Sequence, residues 1–582
     1  MKHKLHNPRR LTSTRFFSLL LNPLKGLALP LFFTLGLTAP AFADSPVQYQ
    51  LQLDLDVDNT SLQGNATIDY HNQSQRALPF LLFRLDANLN AEVEVQEVTT
   101  AEGLVLPAHF YRYDYLEKKR EDPLVYQVFL AEPLQPNEKI QLKFKYKIQH
   151  LPHQNGTYYL IDDVYRLGMG AWYPRVIPFR DGEWRLQERL PAEYKVNARA
   201  NDSMVVISPL APVSINNSDR SYEYSSSRAE EMSLVYAPKM LSRSVEVDGI
   251  QVRFYYDNSL QKWSNLSLEI LSEALTYFKD RYGRWPVKRL TVVSMAQHAQ
   301  PVVASNQLIL LRNSFPEDAD PEVVRRRLTE YLVYGLAQQY WGYQVKQDSQ
   351  DVPWITQGLA LLQAHNYVKT RSKKSFLLGD ALVEDYLRTA RQGWNTRLNA
   401  PAETLSHWPH QGFVPLAQGK GFTVVRLLEN MLGRKVFEQV ENRLLQQHQS
   451  QPVTAQAFQE SLQSVSGKDL DWFFGQWVKR GDILDYAIQS VRQARQKDSE
   501  QIKAVITLQN MGDIEMPMTL ALRLKNGSTL FKLWNGSQDG LRLTYELPDA
   551  LTSVTLDPSN ATPDIDRSNN VYKVPGLVKS VE

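Results

Sequence analysis

The sequence predicts a multidomain α+β protein with a strand-rich N-terminal block, a mainly helical middle and a strand-rich C-terminal block. Three observations predict it. Apolar residues alternate with period two near residue 47 and again near residue 140, the mark of half-buried strands. Near residue 255 the spacing becomes helical. From about residue 486 the chain returns to short apolar runs separated by Gly and Asn turns. A chain of 582 residues is long for one domain. The expected blocks are residues 44–245, 246–485 and 486–582, after a leader at 1–43.

The leader rests on Lys2, Lys4, Arg9, Arg10, Arg15 and Lys25, the apolar run from Gly26 to Thr38, and Ala41-Phe42-Ala43. Basic, apolar and small segments in that order are the pattern of a secretory signal peptide, with cleavage expected after Ala43. The apolar run is short against the ~20 residues of a membrane helix, so export to the periplasm or exterior is expected, with no integral membrane span after cleavage. Residues 1–43 hold six Lys/Arg and no Asp/Glu, so a chain cut there keeps 59 basic residues against 63 acidic ones. A slightly acidic chain gives no reason to expect a nucleic-acid partner. There is no cysteine, hence no disulfide, thiolate ligand or thiol nucleophile.

In the first block Tyr49, Leu51, Leu53, Leu55 and Val57 point one way, and Ile140, Leu142, Phe144, Tyr146 and Ile148 repeat the pattern. The cluster Ala171-Trp172-Tyr173-Pro174-Arg175 reads as core or interface packing. In the middle block Trp263, Leu266, Ile270, Leu271, Ala274 and Phe278 share a helical face that Gly283 and Pro286 end, and Leu290–Met295 reads as a strand. Asp320-Pro321-Glu322 opens a further helix, with an N-cap oxygen, Pro at the first helical position and an acid in the first turn. It runs through Tyr334-Gly335-Leu336-Ala337-Gln338-Gln339-Tyr340-Trp341 and stops near Gly342, and another helix after Pro353 carries Trp354-Ile355-Thr356-Gln357-Gly358-Leu359-Ala360. In the last block Ala504–Leu508, Met518–Leu524 and Leu541–Tyr545 read as strands. Asp557, Asp564 and Asp566 are candidate calcium ligands, although turn-forming carboxylates are the commoner reading.

The helix pair resembles the aminopeptidase N family of zinc metallopeptidases (gluzincins), which reads H-E-L-A-H-Q-W-F-G on the first helix and W-L-N-E-G-F-A on the second. Gln338 and Gln357 are separated by eighteen residues, the family's spacing between its second His and its Glu ligand. Lys420-Gly421, the Trp172-Tyr173-Pro174 cluster and Asp469–Trp477 resemble further family segments. The resemblance implies an N-terminal β-domain, a thermolysin-like middle domain and a C-terminal β-sandwich. It also places the chemistry. Tyr334 and Gln338 stand at the two His ligand positions, Gly335 at the catalytic Glu, and Gln357 at the Glu ligand. Ser305, in Val302-Val303-Ala304-Ser305-Asn306, stands where the family's Glu binds the substrate amino group. Gln418 stands at the oxyanion-stabilising Tyr.

A phenol and two carboxamides are poor zinc ligands, and a Gly supplies no general base. No zinc or other cofactor is therefore expected, and peptidase chemistry is not. His407 and His410 lie in a Trp/Pro loop without a nearby acid, Glu330 lies one turn before Tyr334 within possible reach of the cleft, and no G-x-S-x-G elbow is present. The expected function is an exported pseudo-peptidase that binds a peptide or envelope-protein segment in its cleft, through Tyr334, Gln338, Tyr340, Trp354, Gln357 and Asn306. Two alternatives stand beside it: a metallopeptidase working with unrecognised residues, and an envelope assembly or scaffold factor acting through its β-domains.

Overall fold

The computed structural model describes residues 45–577 except 57, 90, 116–117, 151–157, 162–163, 168–171, 187, 202, 296–299, 313–314, 317, 348–351, 372–373, 401–413, 449–450, 497–499 and 538–540. The leader, its cleavage site, Ala171, His407 and His410 lie outside the described residues.

The N-terminal block is strand-rich, as its alternation predicts. Strand β1 (Val47–Asp56) buries Val47, Tyr49, Leu51, Leu53 and Leu55 and exposes the residues between them. It pairs antiparallel with β2 (Ser61–His71), which pairs with β3 (Lys139–His150), and parallel with β4 (Ala192–Arg199) inside a seven-stranded sheet. Trp172 and Tyr173 are fully interior: the Trp172 indole donates to the Met232 carbonyl at 2.9 Å, and the Tyr173 and Tyr194 hydroxyls share a 2.9 Å hydrogen bond. That cluster is core, as expected.

The middle block begins with a five-stranded sheet. Its order is Leu241–Val247, β5 (Ile250–Tyr256), β6 (Arg289–Met295), then β8 (Leu308–Arg312), with β7 (Val302–Ser305) antiparallel at the edge. Helices α1 (Ser264–Tyr282), α2 (Pro321–Tyr340), α3 (Trp354–Arg371) and α4 (Leu377–Arg391) follow. The Asp320 side chain accepts from the Glu322 N–H at 2.8 Å, the cap that the sequence predicts. A π-helical turn over Pro415–Lys420 leads into α5 (Gly421–Leu432), then α6 (Arg434–Gln447), α7 (Ala455–Ser466) and α8 (Asp471–Trp477).

The C-terminal block forms two sheets. One holds β9 (Tyr486–Arg495), β10 (Ile502–Asn510) and Arg542–Leu547. The other runs β12 (Thr529–Trp534), β11 (Met518–Leu524), β13 (Leu551–Leu556), β14 (Val571–Lys573). One hydrophobic core joins the middle and C-terminal blocks, from Ile250 to Ile565, and the N-terminal block has its own, from Val47 to Tyr236. Strand β12 has no counterpart in the sequence reading. Five of its six residues are exposed or half-buried, so it shows no core-facing alternation.

Candidate functional site

Helix α3 meets the N-terminus of α5 where the two backbones come close. An added Cβ at Gly358 would stand 2.6 Å from the Gly421 carbonyl oxygen, and one at Gly421 2.7 Å from the Trp354 carbonyl oxygen. Only glycines admit that approach. It seats the N-terminus of α5 against α3 and brings the π-turn residue Gln418 to Gln357.

The side chains at the crossing satisfy one another. The Tyr334 hydroxyl donates to Gln357 Oε1 at 2.6 Å, and Gln418 Nε2 approaches the same oxygen at 3.5 Å. The Gln338 amide hydrogen-bonds the Tyr334 phenol. Tyr334 is 3% and Gln338 7% exposed, whereas Gln357 and Gln418 are half-buried. Burial pushes the phenol well above its ordinary range, so it stays neutral and donates. The structure thus brings Tyr334, Gln338, Gln357 and Gln418 together, as the motif spacing predicts.

This donor set does not fit zinc. Its oxygens and nitrogens are neutral, and the phenol is engaged with Gln357. Among the described residues no three His, Asp or Glu side chains converge into a metal-holding group. Gly335 is also enclosed: a Cβ there would lie 3.0 Å from both Ile309 Cδ1 and Cγ2 and 3.2 Å from Val302 Cγ2. Aliphatic side chains of β7 and β8 therefore fill the direction in which a residue at 335 would grow.

The turn between β7 and β8 is clamped. Tyr343 donates to the Ala304 carbonyl at 2.7 Å, Gln339 Nε2 to the Ser305 carbonyl at 3.1 Å, and the Gln307 N–H to Gln339 Oε1 at 2.9 Å. The half-buried Asn306 donates its N–H to Glu231 Oε1 at 3.4 Å, and Glu231 pairs with Arg189. Ser305 is 1% exposed, and its hydroxyl has no partner among the described residues. The clamp residues Gln339, Tyr343 and Glu231 escaped the sequence reading; Gln339, one position after Gln338, carried the only local signal.

Two expected cleft residues lie elsewhere. Tyr340 is wholly buried against Phe278, Tyr282 and Trp285, and its hydroxyl donates to the Arg284 carbonyl. Trp354 is wholly buried against Phe458 and Phe474. Both are core, because burying an aromatic ring against other rings outweighs leaving it at a polar rim. Glu330 does not reach the crossing. It is buried and caps α4, accepting from the Leu377 and Leu378 N–H groups at 3.0 and 2.9 Å. The candidate calcium carboxylates are engaged in turns. Asp557 accepts from the Ala561 and Thr562 N–H groups, Asp564 from those of Tyr486 and Asp566, and Asp566 from that of Ser568.

Beneath the site Lys420 is fully buried, its ammonium held 3.2 Å from Asn395 Oδ1 and 2.9 Å from the Thr396 carbonyl oxygen. Burial lowers its pKa to about 7, against a weaker pull from Asp482.

A helix pair packed against an edge-stranded sheet, with Tyr334 bonded to Gln357 across it, is the frame that the motif spacing predicts. Comparison with known proteins is consistent with that frame: residues 266–477 match the peptidase family M1 domain, and the chain is similar to aminopeptidases of that family. The chain is 23% identical to Aminopeptidase 2 of Candida albicans over 237 residues, 40% of this chain and 26% of that protein. It is 21% identical to the mitochondrial Aminopeptidase 2 of Saccharomyces cerevisiae over 292 residues, 48% and 30% of the two chains. It is 20% identical to Aminopeptidase M1 of Arabidopsis thaliana over 306 residues, 50% and 34%. The matches span about a quarter to a third of these relatives' own length.

Proposed function

We propose that this chain is an M1-family pseudo-peptidase: a metallopeptidase frame that holds no catalytic zinc, cleaves no peptide bond and binds a peptide or envelope-protein segment instead. The observation that carries this reading is the bond from Tyr334 to Gln357, by which two positions of the ligand triad serve each other. The space beside Gly335 supports it, since a general base there would have to displace the methyl groups of Ile309 and Val302. The half-buried carboxamides of Gln357 and Gln418 offer uncharged hydrogen-bonding groups suited to peptide amides. The finer domain assignment, a thermolysin-like domain followed by a β-sandwich, belongs to this proposal, as does export with cleavage after Ala43. Zinc analysis of protein purified in zinc-containing buffer, with a chelator-controlled aminoacyl-anilide assay, tests the chemistry. The expected result is neither stoichiometric metal nor turnover; one zinc per chain with chelator-sensitive hydrolysis overturns the reading. Capture from an envelope extract tests the binding: a partner should be lost with Gln357→Ala and Gln418→Ala, and unchanged capture removes the cleft from the proposal.

A further inference from the structure

Between α8 and the C-terminal block lies a groove of about 880 Å³. Ligand sites commonly measure ~300–1,000 Å³. Trp472, Gly475 and Gln476 line it from the helix, three and four residues apart and so on one face. The other wall is the segment before β11, with Asp513 and Glu515, joined by Asn535 after β12. Gln476 ties the two walls together: it accepts from the Glu515 N–H at 2.7 Å and donates to the Glu515 carbonyl at 3.3 Å.

Two residues of the helix wall are not explained by packing. Trp472 is 39% exposed, although Phe473, Phe474 and Trp477 beside it are wholly buried. Gly475 is the fifth of the seven residues of α8, where a glycine lowers stability relative to alanine. Its φ is not in the left-handed range, and a Cβ there would meet no atom within 4 Å. At Gly358 and Gly421, by contrast, a backbone oxygen stands where the Cβ would go. The chain thus gives no steric reason for glycine at 475. Bare backbone next to an exposed indole makes a flat surface against which a ring can lie.

The polar lining describes that ring. It holds two carboxylates, Asp513 and Glu515, and two cations, Lys479 and Arg480, so it offers no net attraction to an ion. Arg480 is already paired with Asp482 at 2.7 Å. Asp513, Glu515, Lys479 and Asn535 are all exposed, and together they supply acceptors, a donor and a carboxamide that is both. A hydroxyl group also donates and accepts. A neutral ring carrying several hydroxyls therefore matches this wall, with its C–H face on the indole. We infer that the groove is a saccharide-binding site, taking a short oligosaccharide with one ring stacked on Trp472 and passing over Gly475. This inference is independent of the pseudo-peptidase reading.

Isothermal titration calorimetry of the full chain with maltotriose, cellotriose and triacetylchitotriose tests it, with tetramethylammonium as the rival probe for an aromatic site that takes cations. At least one trisaccharide should bind with a Kd of about a millimolar or tighter. Its affinity should be indifferent to salt, because the ligand is uncharged. Trp472→Ala and Gly475→Leu should each weaken binding ~10-fold or more, the first by removing the platform and the second by occupying it. Gly475→Ala should raise the urea midpoint, since the fold makes no use of the missing side chain; a lowered midpoint shows that the chain itself needs the glycine and overturns the inference. Circular dichroism confirms that these variants are folded. The absence of binding by all three trisaccharides, binding unchanged in both groove variants, or saturable binding of tetramethylammonium alone also overturns it.

Discussion

Replacing Gly335 by Glu, the residue that the motif resemblance implies for an active zinc peptidase, should destabilise the protein rather than confer activity. In a helix interior Gly→Ala alone gains roughly 1 kcal/mol of propensity. Here the new Cβ meets Ile309 Cδ1 and Cγ2 at 3.0 Å and Val302 Cγ2 at 3.2 Å, all closer than ordinary contact. Overpacking of that kind costs about 1–3 kcal/mol, so Gly335→Ala should fall between neutral and about 2 kcal/mol of loss. Glu adds a carboxylate pressed against two aliphatic side chains, which raises the cost by several kcal/mol unless the group takes up a proton. Ile309→Ala alone should cost about 2–5 kcal/mol as a cavity. Combined with Gly335→Glu it should cost less than the two single losses added, with a coupling of roughly 1–3 kcal/mol, because the removed atoms are those the new side chain strikes. Urea unfolding of the four proteins, followed by tryptophan fluorescence, measures all of this. A Gly335→Glu protein as stable as the parent, with no coupling to Ile309→Ala, would refute the claim that β8 fills this space.

Three further predictions concern neighbouring groups. Tyr334→His, Gln338→His and Gln357→Glu together should take up zinc, since good ligands would then converge where three neutral side chains now meet; a folded triple variant that binds none in a competition titration would show that the helices do not superpose on the family's frame. Lys420 should make stability rise with pH. Its folded pKa of about 7 lies below the unfolded value near 10.5, so the unfolded chain binds more protons between those limits and stability climbs by up to about 1.4 kcal/mol per pH unit above 7. Lys420→Met should remove that component, seen as a parent-minus-variant stability difference that rises as the pH is raised from roughly 6 to 9.5, whereas a constant difference would contradict the burial. Glu330→Ala should cost about 1–3 kcal/mol, because two N–H groups at the start of α4 lose their acceptor, and a change within error would mean that the cap is dispensable.

The sequence carried the frame well because its signals are local. Asp320-Pro321-Glu322 starts α2 where capping chemistry requires, and β1 alternates as written. The eighteen-residue spacing put Gln338 and Gln357 on one site because helix ends and their connection fix that distance. Faces of helices were read less well. Tyr340 lies six residues after Tyr334, about 240° round a helix of 3.6 residues per turn, which already points it away from the crossing. Trp354 is nearer Gln357 in angle, yet its burial depends on Phe458 and Phe474, a hundred residues onward, and no local pattern shows that. The clamp on Asn306 reaches from Glu231 in another block, and Ile309 closes on Gly335 from a neighbouring strand. Both are tertiary facts without a sequence period.

Frame and chemistry are physically separable at this site. The position of α3 is set by Gly358 and Gly421, whose missing side chains let backbones touch at distances no Cβ permits. None of the metal-ligand positions takes part in that contact. A zinc ion would also draw its three ligands together, and removing it from such a site leaves buried polar groups that need new partners. Tyr334 spans the gap with one bond to Gln357, Gln338 bonds the phenol, and Gln418 comes up to the same Gln357 oxygen. Tyr334, Gln338, Gln357 and Gln418 are neutral groups that both give and accept hydrogen bonds, so the cluster closes without an ion and without a net charge of its own. A single return to His or Glu would break this closure and leave a buried group unpaired, whereas the three together replace it with another. The site should therefore respond to these changes as a unit, with single variants less stable than either the parent or the zinc-loaded triple variant.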